Sequence, residues 1–352
     1  MSDEQSKLLL LGVGGGGGRL AAAVRARYAD EMRMLCMDTD ALANREIQQV
    51  APDIPCVLFG GGRLAGNGAG GDPVKGREAF KDDGALLEPH LLGVRTAVIL
   101  ACLGAGTGGG ATAEVANLLK QKGISTLCIV TRPFSFEGQA RQNAANLGCS
   151  QIATHANALV EVALDDLFEE GGGQQTLTAA IATANRMLAS GVTLLWRMMS
   201  RPGFICTDPE RLHNLVMHGK DASFGSAVAA GGDRVNQLMD RLQSSRLLRG
   251  REMLGKAGAI LVGILGGDDV RLAEIGGIMN TLREWLHAEC HVEMGTVLDP
   301  AFDGRLELVV FAFQNWAFPT AKPPDTSADP NMWGDQNLDE PTFRRLQIRL
   351  ER

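Results

Sequence analysis

Two stretches of the chain leave bare backbone where an anion could bind. GVGGGGGR (12–19) and GAGTGGG (104–110) each lie between an apolar run and an amphipathic one. Side chains at a strand-to-helix turn would block approach, whereas glycine leaves the first helical N–H groups open to a phosphate. The first run satisfies GxGxxG through Gly12, Gly14 and Gly17. Asp38 follows at about the 20-residue spacing at which a dinucleotide fold keeps its ribose-binding acid. One such loop suffices for a dinucleotide; a second, on a neighbouring strand, points to a triphosphate gripped from two sides. Thr107 sets a hydroxyl within that second loop, and a third segment, NGAGGDPVKG (67–76), enters a helix near Pro73. No GxxxxGK[ST] occurs, so this is not a P-loop protein.

The elements that must position these loops read as α/β. Lys7–Val13, Met32–Met37, Thr96–Cys102, Ser125–Thr131 and Asn157–Val162 are apolar enough for buried strands, alternating with helices at Arg19–Ala29 and Ala111–Lys122. That alternation predicts a Rossmann-like parallel sheet covered by helices. Thr176–Ser200 reads as one long apolar helix through the middle of the molecule, stopped by Arg201-Pro202-Gly203. A smaller α/β domain follows: a helix at Arg234–Gln243, a strand at Ala259–Leu265, a helix at Leu272–His287, and strands at His291–Val297 and Leu306–Phe313. The expected division is a nucleotide-binding domain over 1–175, a central helix and catalytic-loop entry over 176–205, and a C-terminal α/β domain over 206–318. Residues 319–337 form a disordered Pro- and Asp-rich linker, and 338–352 a partner-binding peptide.

Composition agrees with a soluble protein of 352 residues, 45% hydrophobic and 21% charged. The net charge of −7 argues against a broad nucleic-acid surface. Seven cysteines, an odd number with no CxxC pair, read as reduced thiols rather than a disulfide framework or zinc site. His155 and His213 have no metal-spaced partners, and all six histidines read as structural or surface residues. MSDEQSKLLLLGV lacks the basic and long apolar regions of a signal peptide, and no run approaches the ~18 apolar residues of a membrane span. The expected location is cytoplasmic.

Taken in order, the motifs resemble the FtsZ branch of the tubulin superfamily. GAGTGGG matches that family's GGGTG[ST]G with departures at Ala105 and Gly109. Asp38-Thr39-Asp40-Ala41 resembles NTDA, and GAGGDPVKG resembles the GAGANPEVG loop. TRPFSFEG (131–138) with Arg141 is similar to the ribose-contacting loop, and RPGFICTDPERL (201–212) to the catalytic loop. GTVLDPAFDGRLELVVFAF resembles the second domain, and the likeness runs over about residues 8–315. The resemblance implies the tubulin/FtsZ fold and a protein that binds GTP or GDP and assembles head-to-tail into filaments. Mg2+ is a candidate companion ion whose ligands are unknown. The implied nucleotide-binding positions are Gly14, Gly15, Gly16, Gly17, Gly18, Asp38, Thr39, Gly70, Gly104, Ala105, Gly106, Thr107, Gly108, Gly109, Gly110, Pro133, Glu137, Arg141 and Asn185.

Several positions depart from the family pattern. The catalytic loop NxDxxD is met by Cys206, Asp208 and Arg211, so a cation replaces the second acid, with Glu210 beside it. A permanently protonated guanidinium cannot take a proton from water, so slow or absent hydrolysis is expected. One tubulin subunit likewise carries a lysine there. The competing reading makes Arg211 an arginine finger on transition-state charge. In the base pocket, Arg19, Ile181 and Arg186 stand where the family keeps an asparagine, a stacking phenylalanine and a guanine-reading aspartate. An arginine can donate to a base edge or point to solvent, but it cannot accept from guanine.

LDEPTFRRLQIRLER (338–352) sets Phe343, Leu346 and Leu350 on one helical face among four arginines. It resembles the FtsZ C-terminal peptide that docks on membrane adaptors, which would bring the filament to the inner face of the membrane. The leading function is thus a cytoskeletal filament for cell division or membrane remodelling. The alternatives are a non-polymerising nucleotide sensor and an NAD(P)-dependent Rossmann oxidoreductase.

Overall fold

The computed structural model describes residues 7–27, 32–170, 176–200 and 208–316. The Arg201-Pro202-Gly203 stop, Cys206, the linker and the tail peptide lie outside these. Strand β1 (Leu8–Val13) runs straight into α1 (Gly14–Arg27), and β2 (Arg33–Asp38) leads to α2 (Ala41–Val50). Strand β3 (Cys56–Leu58) precedes α3 (Gly61–Leu64) and α4 (Pro73–Asp83). The alternation continues with β4 (Thr96–Cys102), α5 (Gly106–Gln121), β5 (Ser125–Arg132), α6 (Gln139–His155), β6 (Ala158–Ala163) and α7 (Leu164–Glu170). Helix α8 (Leu177–Ser200) is the long central helix, followed by α9 (Pro209–His218) and β7 (Asp221–Ala230). The remainder comprises α10 (Arg234–Gln243), α11 (Gly250–Leu254), β8 (Ala259–Gly266), α12 (Leu272–Trp285), β9 (His291–Leu298) and β10 (Arg305–Phe313).

The strands form one sheet in the order β3-β2-β1-β4-β5-β6-β7-β10-β8-β9. Its first six strands are mutually parallel, so both faces need cover. The LLLL run of β1 meets that need by pleat alternation. Leu8 and Leu10 pack with Leu20, Val24 and Leu188 on one face, Leu9 and Leu11 with Val115 and Leu119 on the other. The expected second domain is continuous with this sheet. It joins only where Leu159 and Val160 of β6 register with Asp221 and Ala222 of β7, while β7 and β10 pair antiparallel along their whole length.

Two boundaries differ from expectation for one reason. Helices α1 and α5 begin at Gly14 and Gly106, ahead of the predicted Arg19 and Ala111, because the glycine runs form the first helical turns. Tertiary packing outweighs glycine's poor helix propensity there. Helices α2, α3, α6, α7 and α11 and strands β3 and β7 were not expected. Strand β7, DASFGSAVAA, is built of small residues with low strand propensity and is held by its neighbours.

Helix α8 closes on the C-terminal half of the sheet through glycine. A methyl group on Gly191 would stand 2.3 Å from the Phe224 ring, and one on Gly263 would stand 2.6 Å from Leu194. Phe224 is buried and packed on Phe311 at 5.2 Å, so it cannot yield. Gly191→Ala gains up to about 1 kcal/mol of helix propensity against overpacking of about 1–3 kcal/mol. A lower urea midpoint is expected; an unchanged or higher one would show that the ring moves aside.

Candidate nucleotide-binding site

The two glycine turns converge. Gly14 has φ +74°, in the left-handed region, and a methyl group there would lie 2.9 Å from Gly108 N. On Gly108 a methyl would lie 2.4 Å from the Cys102 carbonyl oxygen. Only glycine at both places lets the loop after β1 touch the loop after β4. The third loop closes on the second, since Gly106 leaves room for nothing larger against Ala69 and the Asp72 amide. Gly70, with φ +59°, faces open space in that loop.

Helix capping distinguishes α5 from α2 and α4, the helices that follow the neighbouring loops. Asp40 caps α2 and Asp72 caps α4, their carboxylates accepting from Leu42 N and Val74 N at 2.8 and 2.9 Å. At α5 the capping residue is Ala105, which has no side chain able to cap. The amides of Gly106, Thr107 and Gly108 therefore keep the positive end of the helix dipole open, as phosphate binding requires. Other glycines in the runs serve packing instead. A methyl on Gly17 would meet the Leu100 carbonyl oxygen, on Gly18 the Ile47 side chain, and on Gly110 the Pro73 carbonyl oxygen. Gly109 lies 3.7 Å from Gly104 N by the same measure, and Gly104, at φ +88°, lies against Pro133 and Arg141.

Strand β2 delivers Asp38 and Thr39 beside both turns. The Thr39 and Thr107 hydroxyls are 2.6 Å apart, tying β2 to the second glycine loop. Asp38 is 2% exposed; its Oδ1 accepts from the Thr39 and Asp40 amides at 2.7 and 3.3 Å. Its Oδ2 has no hydrogen-bond partner and lies 3.5 Å from where a Gly15 methyl would stand. Burial pushes this carboxyl's pKa up, against the opposing pull of the Thr39 amide.

A cavity of about 680 Å³ adjoins the turns. Gly16, Arg19 and Ala105 line it from the glycine loops, Pro133, Glu137 and Arg141 from the loop after β5, and Ile181 and Asn185 from α8. Glu137 is fixed by the Phe134 amide at 2.9 Å and by an ion pair with Arg141. Arg19 pairs loosely with Glu46 at 3.4 Å. Phe134 and Phe136, stacked at 4.8 Å, also line the cavity, and Phe136 is 75% exposed. Sequence reasoning missed both, although the FSF triplet inside a loop was a visible signal. Leu164, Leu167 and Phe168 of α7 were missed too and left no such signal. Arg186 does not line the cavity: it faces a different cleft and donates to the Thr183 hydroxyl at 2.8 Å. Among the described residues no cluster of three metal-binding side chains occurs.

The residues expected of the catalytic loop, Asp208, Glu210 and Arg211, sit at the other end of the sheet, where α9 begins. Asp208 caps α9, its Oδ1 accepting from Glu210 N at 2.9 Å. Glu210 pairs with Arg95 at 2.6 Å, just before β4, and Arg211 with Glu293 at 3.5 Å. His213 of α9 contacts the Thr96 hydroxyl at 3.0 Å, again at the start of β4. The glycine turn follows the end of that strand. The seven residues of β4, at roughly 3.3 Å each, therefore hold the two sets roughly 20 Å apart.

A fold with two phosphate-ready glycine turns beside a walled cavity defines a nucleotide-binding α/β protein. Residues 7–170 match the Tubulin/FtsZ family GTPase domain, and residues 220–314 the FtsZ family C-terminal domain. The cell division protein FtsZ of Buchnera aphidicola subsp. Schizaphis graminum is 31% identical over 86% of this chain and 78% of its own length. That of Pseudomonas aeruginosa is 30% identical over 88% and 77%. The chain belongs to the FtsZ/tubulin family. Its fold is shared with an FtsZ dimer from M. jannaschii, at TM-score 0.81 and 24% identity over 87% of this chain and 88% of that one. CetZ2 from Haloferax volcanii, a GTPgS-bound protofilament, gives TM-score 0.73 and 22% identity over 87% and 92%. No described helix is long and apolar enough to cross a membrane.

Because the folded-state pKa of Asp38 is raised, its ionised form is disfavoured by folding. The penalty is absent below the ordinary carboxylate range and complete above the raised value, so stability falls as pH climbs through that window. In nucleotide-free protein Asp38→Asn should raise the melting temperature at pH 7 and do so less at pH 4. An equal or smaller gain at pH 7 would place the buried charge elsewhere.

Proposed function

We propose that this chain binds GTP between its two glycine turns, polymerises head-to-tail, and hydrolyses the nucleotide slowly or not at all. The observation that carries this is the separation along β4. The open α5 amides lie at one end of the strand and Asp208, Glu210 and Arg211 at the other. One protomer cannot bring them together; a second copy stacked on the first can. Within the cavity, Glu137 and Arg141 flank the ribose, and the Asn185 amide offers the base both a donor and an acceptor. The site also fits a magnesium ion, since the partnerless Asp38 Oδ2 beside the Gly15 turn, with the Thr39 and Thr107 hydroxyls near, could hold one. When bound, the ion would neutralise phosphate charge.

Slow hydrolysis follows from how the acids are used. Asp208 spends one oxygen on a helix cap, Glu210 is neutralised by Arg95, and Arg211 is a cation already answered by Glu293. No second free carboxylate is left to polarise the attacking water. GTP should give sedimentable filaments and GDP should not, and Arg211→Asp should release phosphate at least tenfold faster than the parent. Failure to pellet with GTP or a non-hydrolysable analogue would favour the sensor reading; no gain in the variant would reject impaired catalysis.

Residues 338–352 are assigned to docking on a membrane adaptor at the cytoplasmic face, on the apolar stripe Phe343, Leu346 and Leu350. Full-length filaments should not float with bare anionic vesicles. Co-flotation that disappears when 338–352 is deleted would instead make the tail a direct lipid binder.

A further inference from the structure

A second cleft, of about 1160 Å³, opens between α1, α8 and the β7–β10 part of the sheet. In a chain of net charge −7, its described walls carry Arg27, Arg186, Arg197 and Arg305 against Asp299 and Glu307, an excess of two positive charges. Arg27 pairs with Glu307 at 2.7 Å and Arg197 with Asp299 at 2.9 Å. The other two arginines hydrogen-bond neutral oxygens, Arg186 the Thr183 hydroxyl at 2.8 Å and Arg305 the Ala301 carbonyl at 2.7 Å, and Arg305 also lies over the Phe302 ring at 5.3 Å. Neither forms an ion pair among the described residues. Glu307 is 1% exposed, and its Oε1 has no hydrogen-bond partner, a costly state for a buried acceptor. Ala182, Ala189 and Phe302 supply apolar wall.

From this combination we infer that the cleft binds a phosphate ester of a polyol. Two guanidinium forks without acid partners suit phosphate, which they grip bidentately. The orphaned carboxylate oxygen requires a donor, which a ligand hydroxyl provides. A purely apolar ligand would leave both demands unmet, and a bare inorganic anion would leave the second. The site is separate from the GTP cavity, although Asn185 touches the walls of both.

The test uses the full chain saturated with GDP, so that the nucleotide cavity is closed to competitors, and fructose 1,6-bisphosphate as the probe. Calorimetry should show one site with a dissociation constant below about 1 mM. Arg186→Ala with Arg305→Ala should weaken it at least tenfold. Both side chains are exposed, so the double variant should fold, and retention of GDP checks that it does. Pyrophosphate should bind several-fold more weakly than the bisphosphate, and Glu307→Gln should narrow that difference. Absence of binding at 5 mM, equal affinity in the arginine double variant, or pyrophosphate binding as tightly as the sugar ester would each overturn the assignment.

Discussion

The arrangement depends on one close approach, the Gly14 turn against the backbone of Gly108. Parallel strands β1 and β4 are neighbours in register from Leu8–Thr96 to Val13–Ala101, so their C-terminal ends finish side by side. Whatever follows those ends must share one small volume. Two ordinary strand-to-helix turns would collide there; two glycine turns meet with amides outward. The rest of the site answers to that contact. Thr39 reaches Thr107 because β2 flanks β1, and the third loop can seat on Gly106 only because that residue lacks a side chain. The packing requirement and the binding requirement coincide, so glycine there cannot be exchanged for a residue serving only one of them.

The same residues explain what was legible beforehand. A glycine run between an apolar strand and a helix carries its meaning locally, so the convergence of 12–19 with 104–110 could be read from spacing and order. The division of labour inside each run could not. Gly17, Gly18 and Gly110 face strand, helix and loop atoms distant in sequence, and nothing local separates them from Gly15, whose nearest neighbours stand off at 3.5 Å. Arg186 is a similar case. It is one residue, hence about 100° of helix, from Asn185. On a helix buried along most of its faces, apolar periodicity does not say which way that one residue turns. The partners of Glu210 and Arg211 are Arg95 and Glu293, 115 and 82 residues away. Ion pairs of that range leave no pattern in a single sequence. Strand β7 escaped notice because its alanines, serines and glycine lack strand propensity and owe their conformation to β10.

Helix α8 is what joins the two halves of the sheet mechanically. Strands β6 and β7 touch only through Leu159–Asp221 and Val160–Ala222, too short a ladder to hold an angle between two twisted halves. Helix α8, by contrast, contributes Leu188 and Val192 to the core beneath β1 and β4, and presses Gly191 and Leu194 onto Phe224 and Gly263. On the same face of the sheet, the Arg27–Glu307 pair ties α1 to β10, with the carboxylate fully buried. Burial holds the Glu307 carboxyl's pKa up while Arg27 pulls it down, so the pair opposes its own desolvation. Its contribution is therefore orientation more than stability.

That geometry makes α8 the shared wall of two cavities. Ile181 and Asn185 border the nucleotide cavity, while Ala182, Asn185 and Arg186 border the arginine-lined cleft, all within two turns. A close-packed helix responds to force on one face by moving as a body rather than by local compression. Gly191 and Leu194 of the same helix seat the C-terminal half of the sheet without slack. The Asp208 cap and the Glu210 and Arg211 pairs lie on α9, beyond the C-terminal end of this same helix. The walls of both cavities and the seat of the C-terminal half of the sheet are thus parts of one helix, whose Gly191 admits no methyl group against the Phe224 ring.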